Sequence, residues 1–171
     1  MQILEPREYH QSIYEIDLTG LKAKGYRAVI LDLDNTLVKW NFPDPTPALV
    51  EWIGRVKALE FQCCILSNNN GSRVGEFAAK LGIPFVPKAS KPRRKGFREA
   101  MALLQVKPEE TIVVGDQIFT DVLGGNRAGA YTILVVPIDP HEFVFTRVVR
   151  KVERRVLRGM HKRGLLPGNQ G

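Results

Sequence analysis

Three apolar runs constrain the fold of this chain more than anything else in it: RAVILDL (27–33), TIVVGD (111–116) and YTILVVP (131–137). A strand with one wet face alternates apolar and polar residues, and these runs do not, so both of their faces must be covered. FQCCILS (61–67) is a fourth such run, and IPFVP (83–87) a short fifth. Helical patterns fill the gaps. Thr46 can cap a helix with Pro47 in its first turn, running to about Leu59. GSRVGEFAAKLG (71–82) predicts a helix stopped by Gly82, KGFREAMALLQ (95–105) another, and TDVLGGNRAGA (120–130) one weakened by glycines. NFPDPTP (41–47) is a loop, and residues 7–24 read as short, polar helical pieces. Strands alternating with helices predict right-handed βαβ units: an α/β fold with a three-layer, Rossmann-like parallel sheet and helices on both faces. The expected organisation is one domain over 1–140, followed by a basic amphipathic helix and a flexible tip over 141–171.

In such a sheet the ligand crevice lies beyond the carboxyl ends of the strands. Asp32 and Asp34 end the first apolar run, Ser67, Asn68, Asn69 and Asn70 end the second, and Asp116 ends a later one. Asp is disfavoured in strands, and a buried carboxylate is costly unless it is paired or holds a metal. If those strands are neighbours, several carboxylates share one rim, where they repel each other and call for a cation. Oxygen donors without sulfur or imidazole favour Mg2+. Lys91, in ASKPRRKGF, adds a cation that can hold phosphate as a point charge, with Lys88 and Lys95 as nearby alternatives. Carboxylates, a divalent ion, a hydroxyl and a lysine together suit phosphoryl transfer.

DLDNT (32 to 36 within it), Ser67, SKP (90–92) and GDQIFTD (115–121), in this order and at strand ends, resemble the four motifs of the haloacid dehalogenase-like (HAD) phosphatases. DLDNTLVKW, LSNNN and GDQIFTDVLGGNRAGAYTILVVP are similar to the capless group of YqeG-type bacterial proteins and mitochondrial phosphatidylglycerophosphate phosphatases. The resemblance implies that Asp32 is the nucleophile forming an aspartyl-phosphate and that Asp34 protonates the leaving group and then activates water. It implies Mg2+ held by Asp32, Asp34 through its backbone carbonyl, and Asp116, with Asp121 in support. It implies phosphate contacts from Ser67, Asn68 and Lys91, a loop held by Thr36, and a small flap over residues 37–42 with Trp40 near its tip. Asn35 stands where many relatives have glycine, and Asn tolerates the left-handed backbone that turn needs.

Alone, each feature has a plainer explanation. The Asp pair could form a turn, Ser67 could cap a strand end, and Asp121 with Thr120 could cap a helix. A response-regulator receiver also gathers carboxylates, a hydroxyl and a lysine, but its phosphorylated Asp ends the third strand, where this chain differs.

Motif spacing leaves no room for a lid domain, so the expected site is open and suits a lipid headgroup or macromolecule. The formal charge is +7, and His141 to Gly171 hold eight Lys or Arg against two Glu, a net of +6. Residues 88–98 hold six more basic residues with no acid among them. On a helix, Phe145, Val148, Val149, Val152, Val156 and Met160 form one apolar stripe, with Arg147, Arg150, Lys151, Arg154 and Arg158 opposite. Such a helix can dock on the domain or lie on an anionic bilayer. The expected partner is a phosphorylated substrate, with phosphatidylglycerophosphate favoured and peripheral contact with an anionic membrane; nucleic acid is not expected. A soluble or macromolecular phosphomonoester, and a non-enzymatic anion- or RNA-binding adaptor, are the alternatives. The intact Asp pair argues against the adaptor, since binding alone does not need Asp34. Adjacent Cys63 and Cys64 point to opposite faces of a strand and fit small core residues in a reducing compartment. With no apolar run long enough to cross a bilayer and no secretory signal pattern, the expected location is cytoplasmic, at or near the inner face of the membrane.

Overall fold

The strand Ala28–Leu31 (β2) is buried at every position. It lies in the middle of a six-stranded sheet with β3 (Gln62–Leu66) on one side and β5 (Thr111–Gly115) on the other. The computed structural model describes residues 2–139 and 144–164. The remaining strands are β1 (Glu8–His10), β4 (Phe85–Val86) and β6 (Tyr131–Val135), in the order β1-β6-β5-β2-β3-β4, every pair parallel. The four long predicted strands are present, trimmed by one to three residues.

Helices cover both faces. Val29, Leu31, Cys63, Ile65 and Ile112 pack with α2 (Pro47–Ala58) and α3 (Gly71–Leu81) through Leu49, Trp52, Ile53 and Phe77. Ala28, Ile30, Cys64, Leu66 and Val113 pack on the other side with α4 (Arg94–Leu103) through Phe97, Ala100 and Met101. The neighbouring cysteines thus fall into opposite core layers, as period-two geometry requires. Thr46 caps α2 by accepting from Leu49 N–H at 3.2 Å, and Gly82 ends α3 at φ 62°, both as the residue types predict.

Two segments depart from the sequence reading. Residues 7–24 hold the helix α1 (Leu18–Ala23), but Glu8–His10 form an edge strand beside β6. Three polar residues carry no readable period, and their pairing partner lies more than 120 residues away. The helix expected from Thr120 is divided: a π-helical turn, Ile118–Val122, precedes the short α5 (Leu123–Ala128).

The last helix, α6 (Val144–Lys162), docks on the domain. Glu153 and Met160 are buried, while Lys151, Val152, Arg154, Arg155 and Arg158 are exposed. The apolar-stripe expectation therefore fails at two positions: Val152 faces out, and Arg150 faces in. The reason is that α6 seats on polar groups as well as apolar ones. Glu153 Oε1 accepts from Ile118 N–H at 2.7 Å, and Arg150 reaches Asp116. The side chains of Phe145, Arg147 and Val148, and residues 165–171 of the expected flexible tip, lie outside the described residues; His161 and Lys162 belong to the helix. Among the described residues, no helix is long and apolar enough to cross a membrane.

Candidate active site

Asp32 leaves β2 with its N–H bonded to Val114 of β5, which aims the next residues out of the sheet's carboxyl end. Asn35 follows at φ 63°, fully buried, in the left-handed conformation that Asn accepts. Its N–H donates to Val38, so the chain folds back into a flap that buries Leu37 and Val38 and leaves Trp40 and Phe42 exposed. Ser67 directly follows the end of β3 at Leu66, and Asp116 directly follows the end of β5 at Gly115. Because β3 and β5 flank β2, the three loops meet, and the adjacency left open by the sequence is present.

Thr36 Oγ1 lies 3.2 Å from Asp32 Oδ2 and 3.1 Å from Asp116 Oδ1, joining the two carboxylates through one hydroxyl. Lys91 Nζ donates to Asp32 Oδ1 at 2.5 Å and to Asp121 Oδ1 at 2.6 Å. Of the three lysines considered, Lys91 is the one that meets the carboxylates; Lys95 is exposed on α4. Burial opposes the Lys91 charge, but Asp121 and Asp32 outweigh it and raise its pKa above the ordinary lysine value, so it stays protonated. Asn68 Oδ1 accepts from the Lys91 N–H at 2.8 Å and thereby fixes the lysine's loop. Ser67 Oγ accepts from Asn69 N–H at 3.1 Å. Gln117 N–H donates to Asp121 Oδ2 at 3.2 Å, so the π-helical turn presents Asp121 to Lys91.

Asp32, Asp116 and Asp121 bring one oxygen each within 4.8 Å of one another. Burial, and then repulsion from Asp32, push the Asp116 carboxyl well above the usual range, with Arg150 pulling it back. Burial pushes Asp121 up to about 6 against the attraction of Lys91, with Asp32 adding to the rise. Crowded, buried, all-oxygen donors under mutual repulsion fit a hard divalent cation. Beside them a cleft of about 170 Å³ is bordered by Asp32, Asp34, Trp40, Ser67, Asn69 and Lys91. A larger hollow of about 620 Å³, by Ile3, Pro6, Asn126 and Gly129, holds none of these groups.

Two arginines in the site escaped the sequence reading. Arg73, in the first turn of α3, forks onto Asp34, which also accepts from Asn69 Nδ2 and from Asn41 N–H at 3.1 Å. A cation at a helix N-terminus opposes the helix dipole, and that misfit was its signal. Arg150 Nη1 donates to the Asp116 carbonyl at 2.9 Å, and Nη2 to Asp116 Oδ2. Its signal was Glu153, the lone acidic residue between 144 and 162, three positions on.

The described geometry gathers Asp32, Asp34, Ser67, Lys91, Asp116 and Asp121 at the carboxyl end of the sheet. A HAD-hydrolase-like family model matches residues 88–136. The probable phosphatase YqeG of Bacillus subtilis is 45% identical over 159 residues, covering 93% of this chain and 92% of that protein. The chain belongs to the YqeG-type group of HAD-like phosphatases. A second relative in sequence is phosphatidylglycerophosphate phosphatase 1, chloroplastic/mitochondrial, of Arabidopsis thaliana, 31% identical over 97% of this chain and 51% of its own length. This chain thus spans about half of that plant protein. Among solved structures, the cobalt-bound deoxy-D-mannose-octulosonate 8-phosphate phosphatase of Haemophilus influenzae aligns with a TM-score of 0.56 at 17% identity. It covers 87% of this chain and 97% of that one, and shares the HAD fold.

Proposed function

We propose that this HAD-like chain hydrolyses a phosphomonoester with Mg2+ through an aspartyl-phosphate on Asp32, and that its substrate is phosphatidylglycerophosphate. The observation that carries the chemistry is the sharing of Asp32: one oxygen is held by Lys91, and the other lies beside the Thr36 hydroxyl, which also meets Asp116. A carboxylate held this way is aimed at the cleft. Asp32, Asp116 and the Asp34 backbone carbonyl would hold the ion, which would supply positive charge against the phosphoryl oxygens.

Asp32 forms the new P–O bond while the substrate alkoxide leaves with a proton from Asp34. Water then attacks phosphorus, Asp34 takes its proton back, and Asp32 is released with inorganic phosphate. Lys91 and the Ser67–Asn69 loop hold the phosphoryl oxygens.

Three features support the lipid. The cleft is open, with Trp40 and Phe42 exposed on its flap. Arg93, Arg94, Lys95 and Arg98 stand exposed beside Lys91 in sequence, more cations than catalysis needs. α6 presents Lys151, Arg154, Arg155 and Arg158 to solvent, and each basic residue near an anionic bilayer contributes about 1 kcal/mol. A cytoplasmic enzyme working at the inner face of a membrane fits all three. The test compares phosphate release from phosphatidylglycerophosphate vesicles with release from soluble monoesters, in Mg2+, for the native chain and Asp32→Asn. Vesicle preference lost in Asp32→Asn is expected; preference for a soluble compound by orders of magnitude rejects the lipid, and unchanged turnover in Asp32→Asn rejects the mechanism.

A further inference from the structure

Four carboxylates line the site, Asp32, Asp34, Asp116 and Asp121, and each already has a cation of the protein on it. Lys91 serves Asp32 and Asp121, Arg73 serves Asp34, and Arg150 serves Asp116. Lys91 and Arg73 come from loops and helices at the sheet's rim. Arg150 comes from α6, beyond the last strand and outside every motif that marks the family.

The manner of its contact is specific. Arg150 grips one residue at two points, the Asp116 carbonyl through Nη1 and Asp116 Oδ2 through Nη2. A guanidinium fork that holds both a backbone carbonyl and the side chain of the same residue fixes that side chain's rotamer. The oxygen it takes is Oδ2. The other, Oδ1, is left at 3.1 Å from Thr36 Oγ1, on the side shared with Asp32. Arg150 is itself fixed: its side chain is 11% exposed, and Glu153 Oε2 lies 3.7 Å from Nη1. Glu153 in turn accepts from Ile118 N–H, one turn from Asp121.

We infer that Arg150 is a positioning residue of the metal centre, delivered by α6 to turn Asp116 Oδ1 toward the ion. This rests on the proposed reading of Asp116 as a metal ligand. It makes α6 a working part of the site as well as a basic surface. A partner that orients a ligating carboxylate contributes tenfold to a hundredfold in metal affinity or activity.

The test titrates Mn2+ into the full chain and reads the free ion by electron paramagnetic resonance, so no turnover is needed. Asp116→Asn should abolish tight binding. Arg150→Gln should weaken it about 10- to 100-fold with its melting temperature recorded beside it, and saturating metal should restore much of kcat. Arg150→Lys keeps the charge and loses the fork, and should fall between Arg150→Gln and the native chain; it decides the matter if Arg150→Gln does not fold. Arg158→Gln, an equal loss of charge on the exposed face of the same helix, should stay within about twofold. Native affinity in both Arg150 variants overturns the inference, and so does tighter binding in Arg150→Gln, which would make the guanidinium a rival of the ion. Failure of the native chain to bind Mn2+, or full binding in Asp116→Asn, overturns the metal reading itself.

Discussion

Arg73 closes on Asp34 with both terminal nitrogens, Nη1 at 3.0 Å from Oδ2 and Nη2 at 2.5 Å from Oδ1. The pair sits at the mouth of the cleft, with Asp34 nearly buried, and a fork of this kind sets where a carboxylate points. Arg73→Ala should lower kcat for an aryl phosphate by about tenfold, because the proposed proton donor is no longer held in place. It should also cost about 1–3 kcal/mol of stability, since Asp34 loses its charged partner. Steady-state kinetics and thermal melting read the two effects separately. Native kcat with lowered stability would leave Arg73 as scaffolding alone.

Gly115 ends β5 against Asp121: a Cβ there would lie 2.2 Å from Asp121 Cγ. Asp121 cannot swing away cheaply, because Lys91 and the Gln117 N–H both hold it. Gly115→Ala should therefore break the Lys91–Asp121 contact, destabilise the fold by about 1–3 kcal/mol and depress turnover. A melting temperature and activity equal to the native protein's would contradict this placement of Asp121.

Cys63 and Cys64 are buried in opposite core layers. Burial pushes each thiol up to about 12, with Cys64 adding to the rise at Cys63 and Glu99 to that at Cys64. The native chain therefore keeps protons that the unfolded chain releases from about pH 8.5, and this stability falls as pH climbs toward 12. Near neutral pH the two thiols should react with a thiol reagent only as fast as the protein unfolds. Rapid stoichiometric labelling of either thiol in the folded protein would contradict the packing.

Much of this was legible because three of the candidate site residues stand directly after buried strands. An Asp closing an apolar run marks both the strand's end and the crevice, so Asp32, Ser67 and Asp116 could each be placed on the carboxyl rim from their neighbours, while the adjacency of their strands rests on pairing that the sequence does not show. Lys91 and Asp121 were legible only through the motifs around them, since neither ends a strand. Glu8–His10 were illegible because an edge strand of three polar residues has no period and gains its order from β6. Arg150 and Val152 were misplaced because helical periodicity assigns a buried face from hydrophobicity, and α6 instead turns toward polar partners at Asp116, Ile118 and Phe119. Arg73 lay outside the motifs, and its role depends on how α3 faces the flap.

The central claim is that Asp32 itself attacks phosphorus, and trapping the covalent intermediate tests it most directly. Asp34→Asn removes the base proposed to activate water, so the phosphoenzyme should accumulate on brief exposure to an aryl phosphate with Mg2+. Intact-mass spectrometry should then show one added phosphoryl group, and borohydride reduction followed by peptide mapping should convert Asp32 alone. A phosphoryl group on any other residue, or turnover in Asp32→Asn at the native rate, would contradict it.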